Sequence, residues 1–185
     1  MNTVITSKEK ILSTSRELIQ QKGWSAVSIR SVAAASGLSV GSIYNYFDSK
    51  VDLMGATVES IWSDIFHTPE ELASFKDIEA CIAWVYDRMR CGSEKYPGFF
   101  SLHSLAFIRE EKGYGKQRMQ QAWQDILDSF SAVLQHDPKI RLGAFNPQFT
   151  VEKFASLLFS LMISALLRED YDPSPILEVT RRTLY

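Results

Sequence analysis

The hydrophobic positions of this chain recur at intervals of three and four from one end to the other, which is the spacing of amphipathic helices. Near the start, Ile11 and Leu18 belong to one such face. Thr6, with Glu9 three residues later, fits a capping box ahead of it. The pattern predicts a first helix over residues 7–22.

Serine and glycine positions then divide the chain into shorter pieces. Ser28 and Ser39 each fit the N-cap of a short helix, and Gly37 between them can take the positive φ of a tight turn. Ser49 with Asp52 forms another capping box, at the start of a fourth helix. A helix start signal stands at residues 68–71, and beyond it helical patterns cover residues 77–95, 98–110, 114–135, 150–168 and 174–184. No run alternates as a strand does, so we predict an all-α fold of about nine helices.

The composition is that of a folded globular protein. Of the 185 residues, 45% are hydrophobic and 23% are charged. The longest apolar run, residues 154–167, is interrupted by serines and is too short to span a bilayer, so we expect it to be a buried helix. The first residues do not resemble a secretory signal. From these observations we expect a cytoplasmic protein with no membrane partner.

The residues that usually carry catalysis or metal binding are scattered. Cys81 and Cys91 lie ten positions apart without a CxxC, and we expect free thiols. The histidines, at 67, 103 and 136, do not have metal-ligand spacing, and no phosphate-binding glycine loop, GxSxG or HExxH is present. We therefore predict no metal, no cofactor and no enzymatic activity.

Charge is distributed unevenly along the chain. The net charge is −2, but residues 1–50 contain six lysines and arginines against three acidic residues, which leaves the remainder acidic. A basic head on an acidic body is expected when only the head meets nucleic-acid phosphates.

The second and third predicted helices, with the glycine between them, have the lengths of a helix-turn-helix, whose second helix enters the DNA major groove. Ile43 and Phe47 are placed to close a small core. Tyr44 and Tyr46 can instead present hydroxyl groups to phosphates, although packing in the core is the alternative for both. Lys50 adds a positive charge at the start of the fourth helix.

The segment ILSTSRELIQQKGWSAVSIRSVAAASGLSVGSIYNYFDSKVDL, residues 11–53, strongly resembles the DNA-binding domain of the tetracycline-repressor (TetR) family of bacterial regulators. The resemblance implies a three-helix helix-turn-helix domain at residues 1–53 and a helical ligand-binding and dimerisation domain at residues 54–185. It also implies a homodimer that represses transcription from a pseudo-palindromic operator in double-stranded DNA. A small-molecule effector would release this dimer from the operator. An effector-independent architectural or division-type DNA-binding protein is the main alternative, and an enzyme on a helical scaffold is a remote one.

The family's DNA-contacting positions, carried over residue by residue, fall on Ser28, Arg30, Ser39, Val40, Gly41, Ser42, Tyr44, Asn45, Tyr46 and Lys50. The recognition helix has no Arg, Lys or Gln. We therefore expect Asn45 to read adenine, Val40 to touch a thymine methyl, and Arg30 to read guanine.

Serines spaced by four form a narrow stripe on the helix at residues 150–168. In the family the last two helices commonly pair across a dimer, and the alternative is burial within one subunit. The candidate interface residues are Ser156, Phe159, Ser160, Ile163, Ser164 and Leu167.

Large apolar residues on the middle helices could line an effector pocket, although such residues more often belong to an ordinary core. The candidates are Trp62, Trp84, Met89, Phe99, His103, Phe107 and Trp123.

Overall fold

The computed structural model describes residues 7–66, 74–100 and 114–185, with side chains from residue 123 onward in the last range. In these ranges the chain is helical, and a single isolated bridge between Asn146 and Phe149 is its only β-type pairing there. A short 3-10 helix covers Trp24–Ala26. The α-helices are α1 (Lys8–Lys22), α2 (Ile29–Ser36), α3 (Val40–Tyr44), α4 (Lys50–Phe66), α5 (Ile78–Lys95), α6 (Tyr114–His136), α7 (Val151–Arg168) and α8 (Ser174–Leu184).

These bounds confirm the all-α fold class and most of the predicted helices to within a residue or two. The N-cap of α1 is Ser7 and not the predicted Thr6, since Ser7 Oγ accepts the bond from the Lys10 amide at 3.2 Å. Thr6 itself lies outside the described residues. The helix predicted from residue 98 does not begin there, since residues 97–100 form turns. Residues 101–113, and the helix start predicted at residues 68–71, lie outside the described residues.

The chain divides into two compact units, and it passes from one to the other within α4, within α5 and within α6. The first unit comprises residues 1–64 and 93–117. Its core contains Ile11, Val32, Ile43 and Phe47, all without exposed surface. These units reflect packing within the chain and do not test the functional division expected between residues 53 and 54, which stays a prediction.

The second unit comprises residues 65–92 and 118–185. Buried Asp137, which follows α6, organises one end of it. Its Oδ2 accepts a bond from the Ile78 amide at 2.9 Å, at the start of α5, and another from the Tyr185 hydroxyl at 2.6 Å. One carboxylate therefore holds three segments that are far apart in sequence.

Helix α7 presents two different faces within this unit. Phe154, Leu158 and Met162 are buried. Leu161 on the outer side is 38% exposed, and Leu157 and Leu167 are similarly exposed. The expectation of a buried helix is therefore met on one face only within a single chain, and an apolar strip of α7 faces outward.

Candidate nucleic-acid interface

Helix α2 is defined at both ends by its own neighbouring residues. At the start, Ser28 Oγ accepts from the Ser31 amide at 3.1 Å, and Ser31 Oγ accepts from the Ser28 amide at 2.8 Å. At the end, Gly37 adopts φ 69°, and the Leu38 amide bonds back to the Ala33 carbonyl at 2.9 Å. The left-handed glycine ends α2 and starts the turn toward α3.

Helix α3 is short and is held by one cap and one buried side chain. Ser39 Oγ accepts from the Ser42 amide at 3.0 Å, and the two serine hydroxyls lie 2.8 Å apart. Ile43 is fully buried, and so is Phe47 just beyond the helix. Both were predicted to close this small core.

The remaining side chains of α3 and its C-terminal end point to solvent. Val40 is 41% exposed, Tyr44 is 50% exposed and Tyr46 is 37% exposed. Simple core packing of the two tyrosines, the alternative drawn from the sequence, does not fit these values. Gly41 and Asn45 are also exposed. The exposed part of α3 can therefore contact another molecule without disturbing the core.

The other predicted contact residues lie at the ends of the neighbouring helices. Arg30 and Lys50 are exposed, in the first turns of α2 and α4. Ser28 and Ser42 are half-buried, and their hydroxyl groups take part in the caps. Ser39 is exposed, but its hydroxyl oxygen caps α3 by accepting from the Ser42 amide.

Lys8 is a cation that the sequence reasoning did not single out. Its Nζ lies 5.3 Å from the centre of the Phe47 ring, and Phe47 directly follows the exposed Tyr46 in the sequence. A cation over an aromatic face is attracted by the ring electrons. Lys8 and Phe47 are 39 positions apart in the sequence, so no local pattern predicts their contact. The one related signal in the sequence is the excess of positive charge in residues 1–50.

A polar network links α1, α4 and the residues after α5 within the first unit. The Arg16 guanidinium bonds to Ser60 Oγ, and Asp64 Oδ2 accepts from Lys95 Nζ at 2.6 Å and from the Tyr96 hydroxyl at 2.7 Å. Burial raises the pKa of Asp64, but the bonds from Lys95 and Tyr96 and the charges of Lys95 and Arg16 outweigh it and hold the pKa below its usual value. Asp64 therefore stays charged and fixes the position of α4 against its neighbours.

Two of the pocket candidates meet in the first unit. The Trp62 ring lies 5.7 Å from Phe99 and 5.6 Å from Phe100, in tilted or edge-on contact. Phe99 also lies 6.0 Å from Trp24. These rings form a continuous aromatic cluster, in agreement with the core alternative for Trp62 and Phe99.

The other described pocket candidates lie in the second unit. Trp84 contacts Phe75 at 5.6 Å, and Trp123 contacts Phe159 at 5.8 Å. Met89 is fully buried. His103 and Phe107 lie outside the described residues, and the pocket stays a prediction.

The candidate dimer residues lie on the outer part of α7. Ser156, Ser160 and Leu167 are exposed, and Phe159, Ile163 and Ser164 are half-buried.

The described ranges contain neither a cluster of metal-ligating side chains nor a membrane-spanning helix. No three or more His, Cys, Asp or Glu side chains there are grouped so that they could hold a metal ion. No helix in the same ranges combines the length and apolar character needed to cross a membrane.

Comparison with known proteins places this geometry in a family. Residues 11–57 match the sequence model of the bacterial regulatory proteins of the tetR family. A curated relative, an uncharacterized HTH-type transcriptional regulator in the lacX 3' region of Lactococcus lactis subsp. lactis, is 29% identical over 89 residues. That alignment covers 43% of this chain and spans 44% of the relative's length.

Solved structures share the fold along nearly the whole chain. E. coli NemR in its reduced form has a TM-score of 0.68 at 17% identity, with 96% of this chain and 97% of that chain covered. The transcriptional regulator FadR from Bacillus subtilis, in complex with stearoyl-CoA, has a TM-score of 0.64 at 16% identity, with 97% and 100% covered.

The TetR family transcriptional regulator PfmR from Thermus thermophilus has a TM-score of 0.60 at 21% identity, with 97% of this chain and 94% of that chain covered. The family match lies on the same residues that build the capped helix-turn-helix and its exposed second helix. Residues 11–57 therefore form a helix-turn-helix domain of the TetR family of bacterial regulators, on a chain that shares its fold with solved regulators of that family.

Proposed function

We propose that this regulator is a homodimeric repressor that binds a pseudo-palindromic operator and is released by a small-molecule effector. The observation that carries the proposal is the exposed side of α3, where Val40, Tyr44 and Asn45 lie outward while Ile43 anchors the helix in the core. In a helix-turn-helix this side faces the base edges of the major groove. Because operators lie on the chromosome, we expect the protein in the cytoplasm.

The contact residues divide by chemistry. Tyr44 and Tyr46 offer hydroxyl groups and Lys50 and Lys8 offer charges, which suits them to phosphates and to positioning. Arg30 and Asn45 can hydrogen-bond to base edges. The remaining candidates support the backbone of the two helices or approach the DNA closely, namely Ser28, Ser39, Val40, Gly41 and Ser42.

A dimer would cover the outer strip of α7. Leu157, Leu161 and Leu167 expose large apolar side chains there, and Val179 on α8 is 48% exposed. The small side chains of Ser156 and Ser160 would let a second helix approach closely. A two-fold pairing of this strip with itself would bury these side chains and place two heads on one operator.

The proposed effector is apolar or carries an apolar chain. The regulator FadR from Bacillus subtilis, which shares the fold, was solved with stearoyl-CoA. The middle helices of this chain are rich in aromatic residues, including Trp84 and Trp123, although these already pack against other rings. In this scheme residues 1–53 bind DNA, and residues 54–185 bind the effector and the second subunit. Effector binding would favour a dimer with wrongly spaced heads.

The test is selection of duplexes from a random pool by the purified chain, followed by binding to the enriched sequence at several salt concentrations. We expect an inverted repeat, and an affinity that falls steeply as salt rises because phosphate contacts release counterions. Lys50→Ala should lower the slope of log affinity against log salt by about one per half-site. Failure of a folded chain to enrich any sequence would overturn the proposal.

Effector dependence is tested on the same operator complex. Acyl-CoA compounds of different chain lengths are added, and we expect release by at least one of them. An operator complex that withstands these ligands and a broader panel of apolar metabolites would favour the effector-independent architectural role instead.

A further inference from the structure

The first turn of α3 uses its polar side chains internally. Ser39 Oγ accepts from the Ser42 amide at 3.0 Å, and the hydroxyl groups of these residues lie 2.8 Å apart. A serine hydroxyl has one hydrogen and two lone pairs, so the cap and the bond between the two hydroxyls leave this pair a single hydrogen to donate outward. Turning either group toward a base competes with those bonds. The two serines are therefore poor candidates for base readers.

Besides the two serines, this turn offers one apolar side chain, that of Val40, and one residue without a side chain, Gly41. Val40 is 41% exposed, so much of its isopropyl group is open to solvent. Gly41 is exposed, and a Cβ built there would meet only Ser39 Oγ, at 3.7 Å. Neither its surroundings nor its φ requires glycine in the free protein. The bare Cα does, however, allow α3 to approach another surface more closely.

Both positions lie on the face that reaches the DNA. Val40 precedes Tyr44 by four residues and Gly41 precedes Asn45 by four, so the two pairs form adjacent rows on the outside of the helix. The N-terminal residues of a recognition helix are those that contact base edges. Val40 is thus the side chain of this turn that is best placed to enter the groove.

One apolar group distinguishes the four base pairs in the major groove, and that group is the C5-methyl of thymine. We propose that Val40 recognises a thymine C5-methyl group in each operator half-site, at the close approach that Gly41 permits. The inference rests on the proposed function, because it assigns specificity to one residue of the same interface. It also predicts that hydrogen-bond readout comes from outside this turn, from Arg30 and Asn45.

The test replaces thymine by deoxyuridine, which lacks the methyl group and keeps every hydrogen-bonding group. Each thymine of the selected operator is replaced in turn, in both half-sites together, and affinity is measured for the wild type and for Val40→Ala. We expect one symmetric position at which the wild type weakens about fourfold per half-site, which corresponds to one buried methyl group. At that position Val40→Ala should show no further loss.

Val51→Ala is the matched control, since Val51 is an exposed valine on α4, at 47%. It should retain the full deoxyuridine penalty, and the melting temperatures of both variants should match that of the wild type. An equal penalty in Val40→Ala and the wild type, or no penalty at any thymine, would overturn the inference while leaving the operator and the proposed function intact. If no operator is selected at all, the proposed function fails first.

Discussion

The Tyr96 hydroxyl donates a hydrogen bond of 2.7 Å to Asp64 Oδ2, and so joins the residues that follow α5 to α4. Lys95 Nζ reaches the same oxygen at 2.6 Å. Tyr96 is almost completely buried, and its ring lies 6.4 Å from Phe99. The residues that follow α5 are therefore tied to α4, although 32 positions separate Asp64 from Tyr96.

Asp64→Asn should make the stability of the protein less sensitive to acid. The pKa of Asp64 is lowered in the folded chain, so its carboxylate stabilises the fold above the usual aspartate range, and this contribution is lost as pH falls through the lowered pKa. At pH 7 we expect Asn at this position to cost about 1 kcal/mol, since the site is partly exposed. The cost should vanish in strong acid.

Thermal unfolding at pH 7 and at decreasing pH measures this difference. Asp48→Asn is the control, because Asp48 is exposed and its side chain takes part in no described ion pair. A stability gap between Asp64→Asn and the wild type that is constant at every pH would show that the charge of Asp64 is not what matters.

Gly92→Ala should destabilise the second unit. A Cβ at Gly92 would lie 2.7 Å from Ile65 Cδ1 and 3.1 Å from Cγ2, and Ile65 is buried. Overpacking of this kind typically costs 1 to 3 kcal/mol, here on the order of 2 kcal/mol. In a double-mutant cycle with Ile65→Ala, which removes the clashing atoms, the combined loss measured by denaturant unfolding should be smaller than the sum of the single losses. Strict additivity would contradict the clash.

Gly41→Ala should leave the fold intact and weaken DNA binding. The added methyl group has room in the free protein, and alanine favours a helix over glycine by up to about 1 kcal/mol. Gly37→Ala is the matched comparison. Gly37 has φ 69°, so alanine is strained there by about 1 kcal/mol even though no atom obstructs its Cβ.

Melting temperature and operator affinity separate the two glycines. Gly41→Ala should keep or slightly raise the melting temperature and lose affinity, whereas Gly37→Ala should lower the melting temperature. Unchanged operator affinity in Gly41→Ala would mean that α3 does not approach the DNA closely at this point.

Leu161→Lys should separate the proposed dimer into monomers. Leu161 lies in the outer apolar strip of α7, and a charge buried at a two-fold interface meets its own copy nearby. Sedimentation should show a monomer that remains helical and binds the operator weakly. Leu142→Lys, at a fully exposed leucine in the loop before α7, should stay dimeric. A dimer that persists in Leu161→Lys would place the interface elsewhere.

Sequence reasoning succeeded where structure is local. Three local features depend on atoms within five residues of one another, namely the bounds of α2, the turn at Gly37 and the cap at Ser39. The order of residue types in the sequence is therefore enough to predict them. The cap of α1 was misplaced by one residue, because Thr6 and Ser7 offer the same hydroxyl chemistry. The inward direction of Ile43 and Phe47 also followed from their spacing.

The sequence by itself determined most of the helices and the helix-turn-helix, because periodicity, caps and turns are short-range. Only the tertiary structure decided that Asp64 meets Tyr96, that Lys8 lies over Phe47 and that Leu161 faces outward. These relationships depend on how distant helices rotate and pack against one another. Many rotations satisfy the same local pattern, and the packing of the complete core selects one of them.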